Sequence, residues 1–245
     1  MCGRFTVQDE IYDIRIEVSA QLEQLFRPWQ PTYNISPSAG PGHEQLVAVT
    51  SPDGRRLLKL ARWWFIPSTW SKPLNQLPTT FNARAEQVAT KPIWRGALRT
   101  SRCLVPANGW REFRGPAGRK QPYHFHFDQK LFAFAGLTST WQSPDGDRVD
   151  TFAIITTEAN SSVVPIHNRM PLVVPVNLYD DWLSEGTDAL QLLNELCEQS
   201  RRLIVRYYPS DTIANDVRYE GPLAIKQAIV EQPRQEPVQQ DLFGK

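Results

Sequence analysis

Apolar positions along the chain fall into two periods. Over 10–26, Ile11, Ile14, Val18, Leu22 and Leu25 recur every three or four residues, which predicts an amphipathic helix behind a short N-terminal loop. From residue 44 onward the pattern changes to short apolar runs bounded by turn residues. The runs 44–50 and 56–62 flank Ser51-Pro52-Asp53-Gly54, a hairpin signature. Further strands are predicted over 101–106, 109–113, 123–127, 131–137, 151–156 and 203–207, and helices over 85–90, 177–184 and 189–199. Strands dominate the middle and helices lie around them. The expected fold is therefore α+β: a curved, largely antiparallel, barrel-like β-sheet core with peripheral helices, in a single domain over 1–230. No internal repeat or interior linker interrupts it. The final stretch, 231–245, is polar and Pro-containing and predicts a flexible tail.

Composition narrows the class. With 245 residues, 41% hydrophobic, and 8 Trp, the chain can bury a substantial core, which excludes disorder throughout. Its 20 Pro favour short strands and ordered loops over a helical bundle. No apolar run approaches the ~18 residues of a membrane span, and no basic segment leads into an apolar stretch as in a secretory signal. A cytoplasmic location is expected, without membrane contact. Cys2, Cys103 and Cys197 are odd in number and lack a C-x-x-C pair, so neither a disulfide scaffold nor a metal site is predicted, and no cofactor is implied. Cys103 and Cys197 sit in apolar patterns and read as buried residues.

The net charge of +1 conceals an asymmetry. Residues 55–123 carry 14 Lys and Arg against only Glu86 and Glu112. Trp63, Trp64, Trp70, Trp94 and Trp110 are interleaved with those cations. Cations for phosphates and flat rings for unstacked bases are what a single-stranded nucleic-acid surface requires. Solvated charged faces and core tryptophans would give the same composition.

Cys2 stands apart because of its position. Removal of an initiator Met before it would leave a free α-amine beside a thiol, both titrating close to neutrality in model compounds. Such a 1,2-aminothiol can form an imine with an aldehyde and close through sulfur to a thiazolidine. It can equally attack an amide, with the thiol as nucleophile and the amine as its base. Position alone does not choose between these reactions.

MCGRF at 1–5, FNARAE at 81–86, NGWREF at 108–113 and IHNRMP at 166–171 together, in this order, resemble the SOS-response-associated peptidase (SRAP) family. YNISP at 33–37 and WWFIPSTWSKP at 63–73 fit the same pattern. The resemblance covers nearly the whole ordered chain. It implies processing of abasic sites in single-stranded DNA during the DNA damage response: a covalent thiazolidine crosslink through Cys2 after Met1 is removed, with an associated autopeptidase and a lyase-like reaction. It carries site roles onto matching residues. Glu112 and His167 become the acid/base groups, Asn82 the contact to the N-terminal amine, Arg4 and Arg84 the phosphate contacts, and Trp70, Phe113 and Asn34 further DNA-binding residues. The family usually has Asp after the loop histidine, whereas here it is Asn168. DNA-bound protein is expected at the nucleoid. Two other classes keep the same Cys2: an N-terminal-nucleophile glutamine amidotransferase, and a DNA-binding module in which Cys2 is inert. In the tail, Gln239-Gln240-Asp241-Leu242-Phe243 resembles the peptide by which bacterial repair proteins dock on the sliding clamp, with Gln239, Leu242 and Phe243 as anchors.

Overall fold

The computed structural model describes residues 2–10, 13, 14, 18, 20–22, 29–37, 44–129 and 131–229. In chain order its strands are β1 (Phe5–Val7), β2 (Gln21–Leu22), β3 (Thr32–Ile35), β4 (Glu44–Thr50), β5 (Arg56–Trp63), β6 (Asn82–Arg84) and β7 (Arg102–Ala107). They continue with β8 (Gly109–Arg114), β9 (Gln121–His126), β10 (Phe132–Gln142), β11 (Arg148–Glu158), β12 (Arg169–Pro171), β13 (Val173–Val174) and β14 (Arg206–Pro209). The helices are α1 (Ala85–Val88), α2 (Pro92–Thr100), α3 (Tyr179–Leu183) and α4 (Ala189–Ser200).

Five of the strands close on themselves. β4 pairs with β5 and β7, β7 with β10, and β10 with β11, all antiparallel. β11 then meets β5 in parallel, Thr151 opposite Arg62 and Phe152 opposite Trp63, and completes a five-stranded barrel. The same tetrapeptide, Ser-Pro-Asp-Gly, turns both long hairpins: at 51–54 between β4 and β5, and at 143–146 between β10 and β11. Gly54 (φ 82°) and Gly146 (φ 92°) occupy the left-handed position each turn needs. β7 is buried along its whole length, as are Thr151 to Thr157 of β11, which is why these strands read as continuous apolar runs and not as alternating ones.

A second antiparallel sheet, ordered β14-β9-β8-β1-β3, lies against the barrel. Phe5 of β1 and Trp110 of β8 both meet Phe134 of the barrel edge-on, with centroids 6.1 and 6.2 Å away, and Trp110 stacks on Phe125 at 5.2 Å. One continuous apolar core joins both sheets to the helices.

α2 lies beyond the helix expected at 85–90. Pro92 occupies its first turn, and Trp94 and Leu98, four residues apart, form its buried face. Its C-terminal carbonyls are satisfied from outside: Arg102 donates to Leu98 O (2.6 Å) and Arg99 O (2.9 Å), and also to Trp182 O (2.5 Å) and Ser184 O at the end of α3. The helix predicted over 10–26 falls largely outside the described residues. Within them, Ile14 N–H donates to Glu10 O and Val18 N–H to Ile14 O, both at 3.1 Å, and both side chains are buried. Gln21 and Leu22 depart from it and form β2, parallel to β5. The strand predicted at 203–207 starts later, at Arg206. Residues 231–245, with Gln239, Leu242 and Phe243, lie outside the described residues.

Candidate active site

The site forms where β1, β6, β8 and the loop before β12 converge, and Trp63 sets their relative placement. Its ring stacks on Phe152 across the parallel seam (6.2 Å, 9°) and meets Phe5 (5.0 Å) and Phe81 (5.9 Å) edge-on. Its indole N–H donates to Phe81 O at 2.8 Å. Phe5 lies three residues from Cys2 and Phe81 directly precedes Asn82, so one buried tryptophan ties both segments to the barrel wall. β6 is in turn fixed in parallel along β11, with Asn82 opposite Ile154.

β8 reaches β1 through the Asn108-Gly109 corner. A Cβ on Gly109 would lie 2.5 Å from both His124 Cε1 and Phe125 O, so only glycine admits this approach of β8 to β9. Phe5 pairs with Trp110, and Arg111 N–H donates to Arg4 O (3.0 Å), which carries the pairing toward Glu112.

Four residues singled out from the sequence meet here. Asn82 Nδ2 donates to Cys2 O at 2.5 Å and so fastens the backbone of the nucleophile residue. Cys2 is fully buried, and its Sγ contacts Arg4 O at 3.7 Å. Glu112 is 2% exposed, and its Oε1 accepts no hydrogen bond among the described residues. His167 Nδ1 lies 3.8 Å from that oxygen and 3.0 Å from the backbone N and O of Arg169.

Burial dominates the electrostatics. It raises the Cys2 thiol well above its ordinary value, and the Glu112 charge nearby adds to the rise. It pushes Glu112 up to about 8. It lowers His167, a shift opposed by the backbone contact to Arg169 and reinforced by the positive charges of Arg169 and Lys120. At neutral pH the pocket therefore holds a protonated carboxyl, a neutral imidazole and a thiol, without a carboxylate–imidazolium pair. Among the described residues no group of three or more His, Cys, Asp or Glu is arranged to hold a metal ion.

The residues expected to contact DNA divide. Arg84 is exposed on β6, beside Asn82. Arg4 is half-buried, donates to Ser36 Oγ (2.9 Å) and lies over the Phe113 ring at 5.6 Å, so Phe113 supports Arg4. Trp70 is half-buried in a separate small cluster with Ile66, Leu77 and Trp141, whose indole donates to Trp70 O at 2.8 Å. Asn34 corrects the expectation. It is fully buried; its Nδ2 lies within donating distance of Ala214 O, Asp216 O and Tyr219 O, and its Oδ1 accepts from Arg111 (2.6 Å). Its amide holds the C-terminal segment in place and is not presented to a ligand. The basic, tryptophan-rich stretch is likewise only partly a surface: Trp63, Trp94, Trp110, Arg102 and Arg111 are core. Cys103 is buried, as expected, whereas Cys197 is half-buried. Trp63 and Arg169 were not singled out as site-organising residues, because neither carries a signal that distinguishes it from other buried aromatics or strand cations.

A cysteine beside the chain start, fastened by an asparagine and faced by a buried glutamic acid and a histidine, defines a protein with a preassembled N-terminal reaction centre. The chain belongs to the SOS response associated peptidase (SRAP) family, whose sequence profile matches residues 1–217. It is 31% identical over 228 residues to the abasic site processing protein YoqW of Bacillus subtilis, covering 92% of this chain and 99% of that one. To the abasic site processing protein YedK of Escherichia coli it is 25% identical over 229 residues, covering 90% and 97%. A crystal structure of a protein from Bacteroides thetaiotaomicron shares the fold, with a TM-score of 0.78 at 22% identity over 93% of this chain and 100% of that one.

Proposed function

We propose that this protein processes abasic sites in single-stranded DNA, and that it does so by a covalent crosslink through Cys2 once Met1 has been removed. The observation that carries the reading is the Asn82–Cys2 hydrogen bond, which holds the aminothiol residue within electrostatic range of a buried, protonated Glu112. Membership of the family and the names of its relatives supply the substrate class.

An abasic deoxyribose is mostly a closed hemiacetal, and its ring opening to the aldehyde requires proton transfers that a carboxyl and an imidazole can provide. The Cys2 amine adds to the aldehyde carbon to give a carbinolamine. Protonated Glu112 donates to the hydroxyl as water departs, leaving an imine and a carboxylate. The Cys2 sulfur then adds to the imine carbon, its proton passes to nitrogen, and the five-membered thiazolidine closes. Because burial keeps the thiol protonated, nitrogen attacks first and sulfur second. The overall change is aldehyde plus aminothiol to thiazolidine plus water.

Arg4 and Arg84 hold flanking phosphates, for which rigid guanidinium forks suit better than lysine amines. A lysine beside the sugar could form its own imine and promote strand breakage. Trp70 offers a base-stacking ring. Removal of Met1 is assigned to the same pocket, and docking on the bacterial sliding clamp to Gln239, Leu242 and Phe243.

Intact-mass spectrometry tests the reading. Protein lacking Met1 is expected to gain the mass of an abasic oligonucleotide less one water, and Cys2→Ala to form no adduct. An undiminished adduct in Cys2→Ala would defeat the mechanism.

A further inference from the structure

The loop histidine is followed by Asn168, which is exposed and provides no carboxylate to orient the ring. The next residue supplies what Asn168 does not. Arg169 N–H donates to His167 Nδ1 at 3.0 Å. The Arg169 side chain, 9% exposed, is itself locked: its two terminal nitrogens donate to Glu86 Oε1 (2.8 Å) and Oε2 (3.0 Å), and one also to Thr156 O (2.6 Å). A two-pronged arginine–carboxylate contact fixes direction as well as distance. Glu86 sits on α1, which begins directly after β6, the strand that presents Asn82 and Arg84. One ion pair therefore spans the segment that fastens Cys2 and the segment that carries His167.

We infer that the Glu86–Arg169 pair is a positioning strut for His167: it presses the Arg169 amide against Nδ1, so that the neutral imidazole carries its proton on Nε2 and exchanges protons through that atom. The inference rests on the reading of His167 as a proton-transfer group. It also accounts for the arrangement of the two acid/base side chains. Nδ1 is the atom that lies 3.8 Å from Glu112 Oε1. With Nδ1 occupied by a backbone N–H, Glu112 and His167 do not share one proton as an ion pair and serve as two separate transfer groups. The charges facing the ring are Glu112 from β8, Lys120 from the loop after it, and Arg169.

Two readouts test the strut in Met1-free full-length protein. The first is nitrogen-detected NMR of the His167 ring without DNA, which reports the tautomer. The second is single-turnover adduct formation with an abasic oligonucleotide, separating the rate at saturating DNA from the half-saturating concentration. Wild type is expected to show the Nε2–H form. Glu86→Ala is expected to mix the tautomers and to slow the saturated rate about tenfold or more, the order of loss that a small misplacement of a reacting group produces. Half-saturation should stay within about twofold, because the strut does not touch DNA. Glu86→Asp, which keeps the carboxylate, should recover part of the rate. If Glu86→Ala folds poorly, Glu86→Gln, which retains one acceptor, is read in its place. A pure Nε2–H imidazole with a wild-type rate in the variant would overturn the inference, as would a loss confined to half-saturation. Absence of any adduct in wild type would sink the crosslinking mechanism instead, while the tautomer would still decide the strut.

Discussion

Replacing Glu112 by Gln separates what the pocket does for chemistry from what it costs the fold. The carboxyl is 2% exposed and held at about 8 by burial. An unfolded chain returns it to the ordinary value near 4.3. Its folded value is raised, so the stability it contributes is fully present below the unfolded value and is lost as pH rises toward 8. Each unit of difference is worth about 1.36 kcal/mol, which sets a ceiling of about 5 kcal/mol on the loss. Local relaxation and water entry reduce this, and we expect about 2–4 kcal/mol. Glutamine has nearly the same shape and no charge to lose. Thermal or urea unfolding of wild type and Glu112→Gln should therefore nearly coincide at about pH 5 and diverge by about pH 8.5, with the variant more stable by several degrees. The variant should also crosslink more slowly. Comparison with the variant is essential, because His124, buried and lowered to about 3, produces the opposite slope. Its folded value is depressed, so its contribution is present above about 6.5 and lost as pH falls toward 3. Between about 4.5 and 6.5 the two effects oppose each other in the wild-type curve. An equal stability gap between the two proteins at both pH values would refute the claim that Glu112 is held protonated.

Three further outcomes are expected. Arg84→Ala should weaken single-stranded DNA binding and reduce the slope of log affinity against log salt by about 0.7, the value for one phosphate contact; an unchanged slope by fluorescence anisotropy removes Arg84 from the interface. Gly109→Ala should destabilise the fold by about 2–4 kcal/mol, because the added methyl meets a backbone oxygen as well as the His124 ring; a wild-type melting temperature would show that β8 and β9 can separate freely. Arg102→Met leaves the carbonyl ends of α2 and α3 without their donor and should cost about 3 kcal/mol; hydrogen exchange confined to those helix ends would locate the damage.

Much of the architecture is legible where one face of a strand is wet. The runs at 44–50, 56–62, 109–113 and 189–199 fall on β4, β5, β8 and α4 almost residue for residue. Barrel closure is not legible, because the parallel Trp63–Phe152 contact joins residues far apart in the chain and leaves no local period. The four reacting groups are found through short motifs, whereas Asn34 is misread for an instructive reason. An amide in a loop motif can serve a ligand or the protein's own backbone, and only the fold reveals that the carbonyls of Ala214, Asp216 and Tyr219 already surround it. Arg102 and Arg111 mislead in the same way, since a sequence counts cations without showing which are buried against carbonyls.

The reaction centre draws on positions 2, 82, 112 and 167 of the chain. During translation, the first of these leaves the ribosome long before the last has been synthesised. A nascent or truncated polypeptide can therefore expose its reactive start without the groups that direct it, and aldehydes met at that stage encounter only an ordinary peptide terminus. Competence arrives late in synthesis, a form of quality control that needs no inhibitor.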